Sequence, residues 1–293
     1  MMRYVFFLIS LITTILTGLY FDVNDGLSFR LGKFRANYLE GMTSYRGQIV
    51  CNGHDCMPSE GKKKLLLWGD SHANALGNAV RERLASKNII LIDGTAPGCV
   101  PFVTDRQVFA SVSHKCLEHN KRVSRLLTEI EIDLLVVHAR WSLNIYGTRF
   151  GMEFGIDRDE EQFAVTDRLD FIKDQVEKRS ADAKRTLLIA SIPEQMVDVP
   201  EYFASRVLIK KLFGSRYDCA KFGVAYPLWL AERWVDFGSS ATYILVDPKD
   251  SFCDVEICSA IDNFCTPQYV DSNHMNSRTY LDFWIKNVEV LLD

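Results

Sequence analysis

Apolar runs of strand length alternate with amphipathic stretches of helix length along most of this chain. Lys64-Leu-Leu-Leu-Trp68 reads as a buried strand, and the spacing after it predicts a helix from about Ala73 to Ala85. Asn88-Ile-Ile-Leu-Ile-Asp93 reads as a second strand, ending in the turn cluster Gly94-Thr-Ala-Pro-Gly98-Cys99. A helix follows from about His114 to Glu129, with apolar positions at Leu117, Val123, Leu126 and Leu127. Then come a strand over 132–138, a long amphipathic helix near 159–177, and a strand over 185–191. A last strand is predicted at 242–247 and a C-terminal helix at about 277–292. Strands that alternate with helices imply βαβ crossovers and a mostly parallel sheet covered on both faces, an α/β fold. Ligands of such sheets bind beyond the carboxyl ends of the strands. Ser71, Gly98 and Trp141 each fall just after a predicted strand, which places them at one rim.

The N-terminus departs from this alternation. The stretch from Tyr4 to Phe21 is uncharged, with Arg3 before it and Asp22 and Asp25 after it. As a helix at about 1.5 Å per residue it covers roughly 27 Å, close to the hydrocarbon core of a bilayer. A signal peptide has a shorter apolar region and a small-x-small cleavage site, which Leu16-Thr17-Gly18-Leu19-Tyr20-Phe21 does not supply. The organisation expected is therefore a membrane anchor over 1–21, with a cleaved signal peptide as the alternative, a juxtamembrane linker over 22–60 and one α/β domain over 61–293. Arg3 favours a cytoplasmic N-terminus and an exported remainder, although Arg30, Lys33 and Arg35 partly offset that charge.

Composition refines this picture. The chain has 293 residues, 47% of them hydrophobic and 25% charged, with a formal charge of -4, and no basic face that would serve nucleic acid. It carries 8 cysteines: Cys51, Cys56, Cys99, Cys116, Cys219, Cys253, Cys258 and Cys265. An even set in an exported chain indicates disulfides, and Cys51–Cys56, Cys99–Cys116 and Cys253–Cys258 are the local closures to consider. Cys51-Asn-Gly-His54-Asp-Cys56 has two thiols and an imidazole of the kind zinc uses. No second half-site accompanies it, so no metal is expected. No phosphate-cradling glycine motif appears, and no cofactor is implied.

The candidate chemistry lies in two short motifs. Gly69-Asp70-Ser71-His72 stands at a strand-to-helix junction, where unpaired N–H groups and the helix dipole can stabilise an oxyanion. A serine there is either a nucleophile or, like Asp70, a helix cap. Asp271-Ser272-Asn273-His274 supplies an imidazole with a carboxylate three positions earlier, the base and orienting acid that a serine nucleophile needs. Alternatively, Asp271 and Asn276 are turn and capping residues of a polar loop. His72 either meets substrate or packs in the first helical turn. His138 reads as a core histidine, and His54, His114 and His119 as surface ones. Arg140 and Trp141 suit a sugar, by guanidinium and ring face, unless Trp141 is packed in the interior. The aromatic run from Tyr226 to Trp234 has helical spacing and reads as core.

Gly69-Asp70-Ser71 with Asp271-x-x-His274 resembles the SGNH (GDSL-like) hydrolase superfamily, and most closely the periplasmic SGNH domain fused to acyltransferase-3 proteins that O-acetylate bacterial surface polysaccharides. Leu66-Leu67-Trp68-Gly69-Asp70-Ser71-His72-Ala73, Cys99-Val100-Pro101-Phe102 and Ala139-Arg140-Trp141-Ser142 carry the closer likeness. So do Tyr269 through Ser277 and the link-like segment Asp25-Gly-Leu-Ser-Phe-Arg30. The resemblance implies a three-layer α/β/α SGNH-hydrolase-like fold and a triad of Ser71, His274 and Asp271. It also implies oxyanion donors from a glycine and an asparagine. Gly98 is the match for the glycine. The third block, His138-Ala-Arg-Trp141-Ser142, has no asparagine at the usual place, and Asn144 is the substitute. The activity implied is O-acetyl transfer to a surface polysaccharide such as O-antigen, in the periplasm, from a single-pass inner-membrane anchor. A separate acyltransferase-3-type membrane protein would supply the acetyl group, unless the chain is a piece of a longer acyltransferase-3 fusion. A carbohydrate O-acetyl esterase with the same triad, and a non-catalytic glycan-binding or assembly module, are the alternatives.

Overall fold

A computed structural model describes residues 10, 12–14, 62–105, 112–146, 158–195, 198–204, 223–225, 240–253, 257–263 and 266–292. The proposed anchor and linker therefore lie almost wholly outside the described residues. So do Cys51, Cys56, Cys219, Cys265, His54 and the run from Tyr226 to Trp234. Among the described residues no helix is long and apolar enough to cross a membrane.

Among the described residues, five strands form a parallel sheet: β1 (Lys63–Gly69), β2 (Ile89–Thr95), β3 (Leu134–His138), β4 (Thr186–Ile189) and, after the short β5 (Gly223–Ala225), β6 (Ile244–Val246). Their order is β2-β1-β3-β4-β6. Period-two alternation distributes the side chains to two cores. Leu66, Trp68, Leu135, Val137 and Leu188 point to one face, whereas Leu65, Leu67, Leu134, Val136, Leu187 and Ile189 point to the other. Helices α1 (Ser71–Ser86) and α6 (Ser277–Phe283) cover the second face, through Leu76, Val80 and Leu84 and through Tyr280 and Phe283. Helices α2 (His114–Glu129) and α4 (Arg158–Ser180) cover the first, through Leu117, Val123 and Leu127 and through Ile172 and Val176. Both faces are thus covered, which makes the parallel strands continuous apolar runs.

Cap chemistry sets the helix starts. Ser113 accepts from Cys116 N, so α2 begins at His114 as the sequence predicts. Asp70 accepts from His72 N and starts α1 two residues earlier than its apolar spacing indicates. The C-terminal helix, read from the sequence as one element, instead passes after Phe283 into a π segment (Trp284–Val288) and a 3-10 turn (Glu289–Leu291). There the Asn287 side-chain amide donates to Phe283 O at 2.9 Å and competes with the regular ladder. Two small helices, α3 (Trp141–Tyr146) and α5 (Lys249–Phe252), and the antiparallel pair of β5 with β7 (Ile257–Ser259) carry no sequence signal of their own.

The strand order reverses direction at β1: the first crossover leads out to β2, and the chain then returns to place β3 on the other side. The crevice between the carboxyl ends of β1 and β3 is the topological switch point, where open α/β sheets bind ligands. Gly69 makes this junction tight. A Cβ there would lie 1.7 Å from His138 O, so only glycine lets the two strand ends approach so closely.

Candidate active site

Ser71 is the first residue of α1, directly beyond β1, and its hydroxyl reaches back across the rim. Its Oγ lies 2.9 Å from His274 Nε2, and His274 Nδ1 lies 2.8 Å from Asp271 Oδ2. The chain separation between serine and histidine is large, so the loop bearing His274 must be held firmly. Asp271 Oδ1 accepts from Asn273 N at 2.6 Å and from His274 N at 2.7 Å, which folds residues 271–274 into a tight turn. Val270 N donates to His274 O, and Tyr269 bridges to Met275, closing the base of that turn. Tyr269 Oη donates to Pro193 O at 2.7 Å and Gln195 N to Ser272 O at 2.7 Å, fastening the turn to the segment after β4. Asn276 accepts from Thr279 N as the cap of α6 and donates to Pro267 O. Burial alone would raise the Asp271 pKa, but hydrogen bonds from the His274 side chain and from the His274 and Asn273 backbone bring it down to about 2. Asp271 is therefore a carboxylate at neutral pH, and it fixes the proton of His274 on Nδ1 with Nε2 facing the serine.

Asp70 joins the two sides of the switch point. Its Oδ1 accepts from His72 N at 2.9 Å, and its Oδ2 from Arg140 N at 2.8 Å and Asn144 Nδ2 at 3.2 Å. Burial raises its pKa, and those donors oppose the rise. Because Asp70 takes the capping bond, Ser71 keeps its hydroxyl for His274. The Ser71 backbone N–H, at the first helical position, has no acceptor within its own helix. Gly98 sits on the exposed turn after β2 with φ +72°, and a Cβ there would meet nothing within 4 Å. Among the described residues neither Gly98 nor Asn144 is hydrogen-bonded to Ser71.

The residues expected to touch sugar are placed differently. Trp141 is wholly buried in the core with its indole N–H on Ile189 O at 2.9 Å, so no ring face is presented to a ligand. This corrects its assignment as a substrate contact: the large apolar side chain is worth more in the interior, where its one polar atom finds an acceptor. His72 is likewise fully buried, with Nε2 3.1 Å from Asn273 Oδ1, and cannot meet substrate. Arg140 Nε donates to Glu194 Oε1 at 2.8 Å and its Nη2 to Glu194 Oε2, so this guanidinium is engaged in an ion pair, and Ser142 Oγ donates to the same carboxylate. Glu194, just after β4, is a supporting residue that the sequence did not point to; its position three residues past a predicted strand was the only signal available. His138 is a core residue, with Nδ1 at 3.3 Å from Ile189 O and Nε2 at 3.5 Å from Tyr280 Oη. His119, expected at the surface, is half-buried with Nε2 3.0 Å from Gly94 O.

Among the described residues two disulfides are formed. Cys99–Cys116 ties the turn after β2 to α2, and Cys253–Cys258 closes the loop between α5 and β7. Asn120, buried in α2, receives Trp68 Nε1 at 3.0 Å and donates to Val100 O and Val103 O, holding the same turn from beneath.

A parallel α/β sheet with serine, histidine and aspartate gathered at its carboxyl edge is an arrangement suited to the chemistry of esters. The chain belongs to the family of SGNH domains fused to AT3 domains, whose model matches residues 42–279. It is an enzyme of acyl transfer or ester hydrolysis. The periplasmic domain of the lipopolysaccharide acetyltransferase of Salmonella ser. Paratyphi A is similar in fold, with a TM-score of 0.55 over 87% of this chain and 92% of that one, at 14% identity. A Bacteroides fragilis NCTC 9343 protein assigned as an acylhydrolase aligns over 80% of this chain and 88% of its own, with a TM-score of 0.38 and 14% identity. The salicylyl-acyltransferase SsfX3 of a tetracycline biosynthetic pathway aligns over 80% and 56%, with a TM-score of 0.33 and 12% identity. No curated protein matches the chain by sequence.

Proposed function

We propose that this protein is an extracytoplasmic O-acyltransferase that places acetyl groups on a bacterial cell-surface polysaccharide such as O-antigen, through an acyl-enzyme on Ser71. The observation that carries the reading is the continuous hydrogen-bonded line Ser71 Oγ–His274 Nε2 and His274 Nδ1–Asp271 Oδ2, at 2.9 and 2.8 Å. In the first half-reaction Ser71 Oγ attacks the carbonyl carbon of an acetyl donor while His274 Nε2 takes its proton. The oxyanion that forms receives the Ser71 backbone N–H, and Asn144 has one amide hydrogen beyond the one given to Asp70. Collapse expels the donor's leaving group, which carries away the proton held by His274. A sugar hydroxyl then attacks the acetyl-serine, gives its proton to His274, and Ser71 regains it as the new ester departs. Asp271 stays ionised throughout and stabilises the imidazolium.

The family's fusion to AT3 domains supports a membrane acyltransferase-3 partner as the source of acetyl groups. The uncharged run from Tyr4 to Phe21, with Arg3 before it, supports a single-pass inner-membrane anchor. The two disulfides are consistent with a domain in the oxidising periplasm. A second reading, a carbohydrate O-acetyl esterase, is favoured by one feature: the His274 and Asp271 side chains are 28% and 39% exposed, so water can reach the acyl-enzyme.

A fluorophosphonate probe tests the nucleophile. The full chain labels at Ser71 and Ser71→Ala does not; a folded wild type that stays unlabelled refutes the triad. Supplying an acetyl ester with and without polysaccharide then separates the two readings. Acetylated glycan formed at the expense of free acetate supports transfer, and acetate release indifferent to the acceptor supports the esterase.

A further inference from the structure

Helix α1 buries Ala73, Leu76, Val80 and Leu84, and at the head of that face stands an imidazole, His72, with no exposure at all. A hydrophobic residue would fill the position without taking a polar ring out of water. The ring is not even fully satisfied, since Nδ1 is buried and has no hydrogen-bond partner among the described residues. Its other nitrogen, Nε2, lies 3.1 Å from Asn273 Oδ1, and Asn273 is itself only 4% exposed. The Asn273 amide nitrogen points the other way, to Ser272 Oγ at 3.3 Å, so Nε2 of His72 carries the hydrogen and donates it.

Two hydrogen bonds thus cross the same gap side by side. One joins Ser71 to His274, and the other joins the residue after that serine to the residue before that histidine. The His72 ring also lies against the His274 ring, with centroids 4.7 Å apart and planes at 48°. We propose that His72 and Asn273 form a positioning pair that sets the distance and ring orientation of His274 relative to Ser71. The inference rests on the proposed roles of Ser71 and His274. A buried bond between neutral groups suits the task. Burial and the nearby His274 charge hold the His72 pKa to about 3, so His72 adds no second positive charge when His274 accepts a proton. Glu194 and Arg140 are the other charges acting on His72, with opposite effects.

The test is the second-order rate of fluorophosphonate labelling of Ser71 in the full chain, which needs no natural substrate. His72→Phe keeps a ring and removes the donor; Asn273→Ala removes the acceptor and keeps the backbone N–H to Asp271. Each is expected to slow labelling by on the order of tenfold to a hundredfold, as small misplacements of reacting groups do. His72→Gln restores a donor at nearly the same place and is expected to label within about threefold of wild type, a rescue that space-filling alone would not produce. The two losses are expected not to multiply when His72→Phe and Asn273→Ala are combined. Unchanged labelling in Asn273→Ala, failure of His72→Gln to recover, or fully multiplicative losses would each overturn the pairing. An unlabelled wild type would instead strike at the triad itself, so the two failures are distinct. Should His72→Phe not fold, Asn273→Ala and His72→Gln decide the matter.

Discussion

Two histidines fully buried among the described residues, His72 and His138, are expected to make the domain acid-labile to a calculable extent. Burial, and then the proximity of His274 or of the other buried ring, lowers the pKa of His72 and His138 from 6.5 to about 3. In the unfolded chain both imidazoles take up protons near 6.5, while in the fold they stay neutral to about 3. Between those values the unfolded state binds more protons, so stability is complete above 6.5 and is lost as pH falls. Each histidine contributes a slope of about 1.4 kcal/mol per pH unit. From pH 7 to pH 5 the pair removes about 4 kcal/mol, a large share of the roughly 5–15 kcal/mol that ordinary domains possess. Asp70 titrates with the opposite sign, because burial raises its carboxyl and its protonation favours the fold on acidification. It offsets part of the loss. Urea unfolding followed by tryptophan fluorescence at pH 7, 6 and 5 measures the free energy at each pH. His138→Gln isolates one imidazole and is expected to remove about half of the slope. A loss of less than about 1 kcal/mol between pH 7 and 5, with His138→Gln parallel to wild type, would show that these rings do not stay neutral in the fold.

Other perturbations separate structural from chemical roles. Asp271→Asn removes the charge that orients His274 and is expected to lower the turnover of an acetyl ester by about 10⁴-fold while leaving the melting temperature near that of wild type. Trp141→Ala is expected to destabilise the domain by about 4 kcal/mol in urea titration, because it empties a core position. A binding tryptophan at the rim would lose affinity for glycan and keep its stability instead. Replacing Cys99 and Cys116 together by serine opens a loop with a sequence separation of 17 and is expected to reduce unfolding free energy by about 3 kcal/mol. Gly69→Ala drives a methyl group into His138 O and is expected to give insoluble protein on expression, with no cooperative melt in any soluble fraction.

What the sequence disclosed follows from how local each signal is. The strand at β1 and the helix α2 stand out because an apolar run and an apolar periodicity persist over many residues. The antiparallel pair of β5 and β7 escaped notice because three-residue strands have too few positions to show an alternation. The positions of Ser71, His274 and Asp271 were legible as motifs, since the turn geometry at Asp271 is written within four residues. Trp141 stays ambiguous in the sequence for a physical reason. A tryptophan just past a strand sits equally well on the rim or folded under it, and only the acceptor at Ile189 O, far off in sequence, decides. Glu194 was silent for the same reason: its partner Arg140 lies far off in sequence, in the segment after β3, and a lone glutamate announces nothing.

Under the proposed mechanism, cap and nucleophile are not alternatives for Gly69-Asp70-Ser71. A cap must present an oxygen to the second or third N–H of the helix, and Asp70 does so through Oδ1. Serine at the following position has helical backbone geometry, and its hydroxyl is not required by the helix. Capping by Asp70 is thus what releases Ser71 for His274. The same carboxylate then spends its second oxygen across the switch point, on Arg140 N and Asn144 Nδ2. Such a group is stable in the interior only because three donors surround it. Remove one, by breaking the close approach at Gly69 or by displacing the segment after β3, and the cap, the serine and the Asn144 amide lose their common reference point. The motif is therefore one device in which helix initiation, strand contact and the placement of Ser71, the proposed nucleophile, depend on a single buried carboxylate.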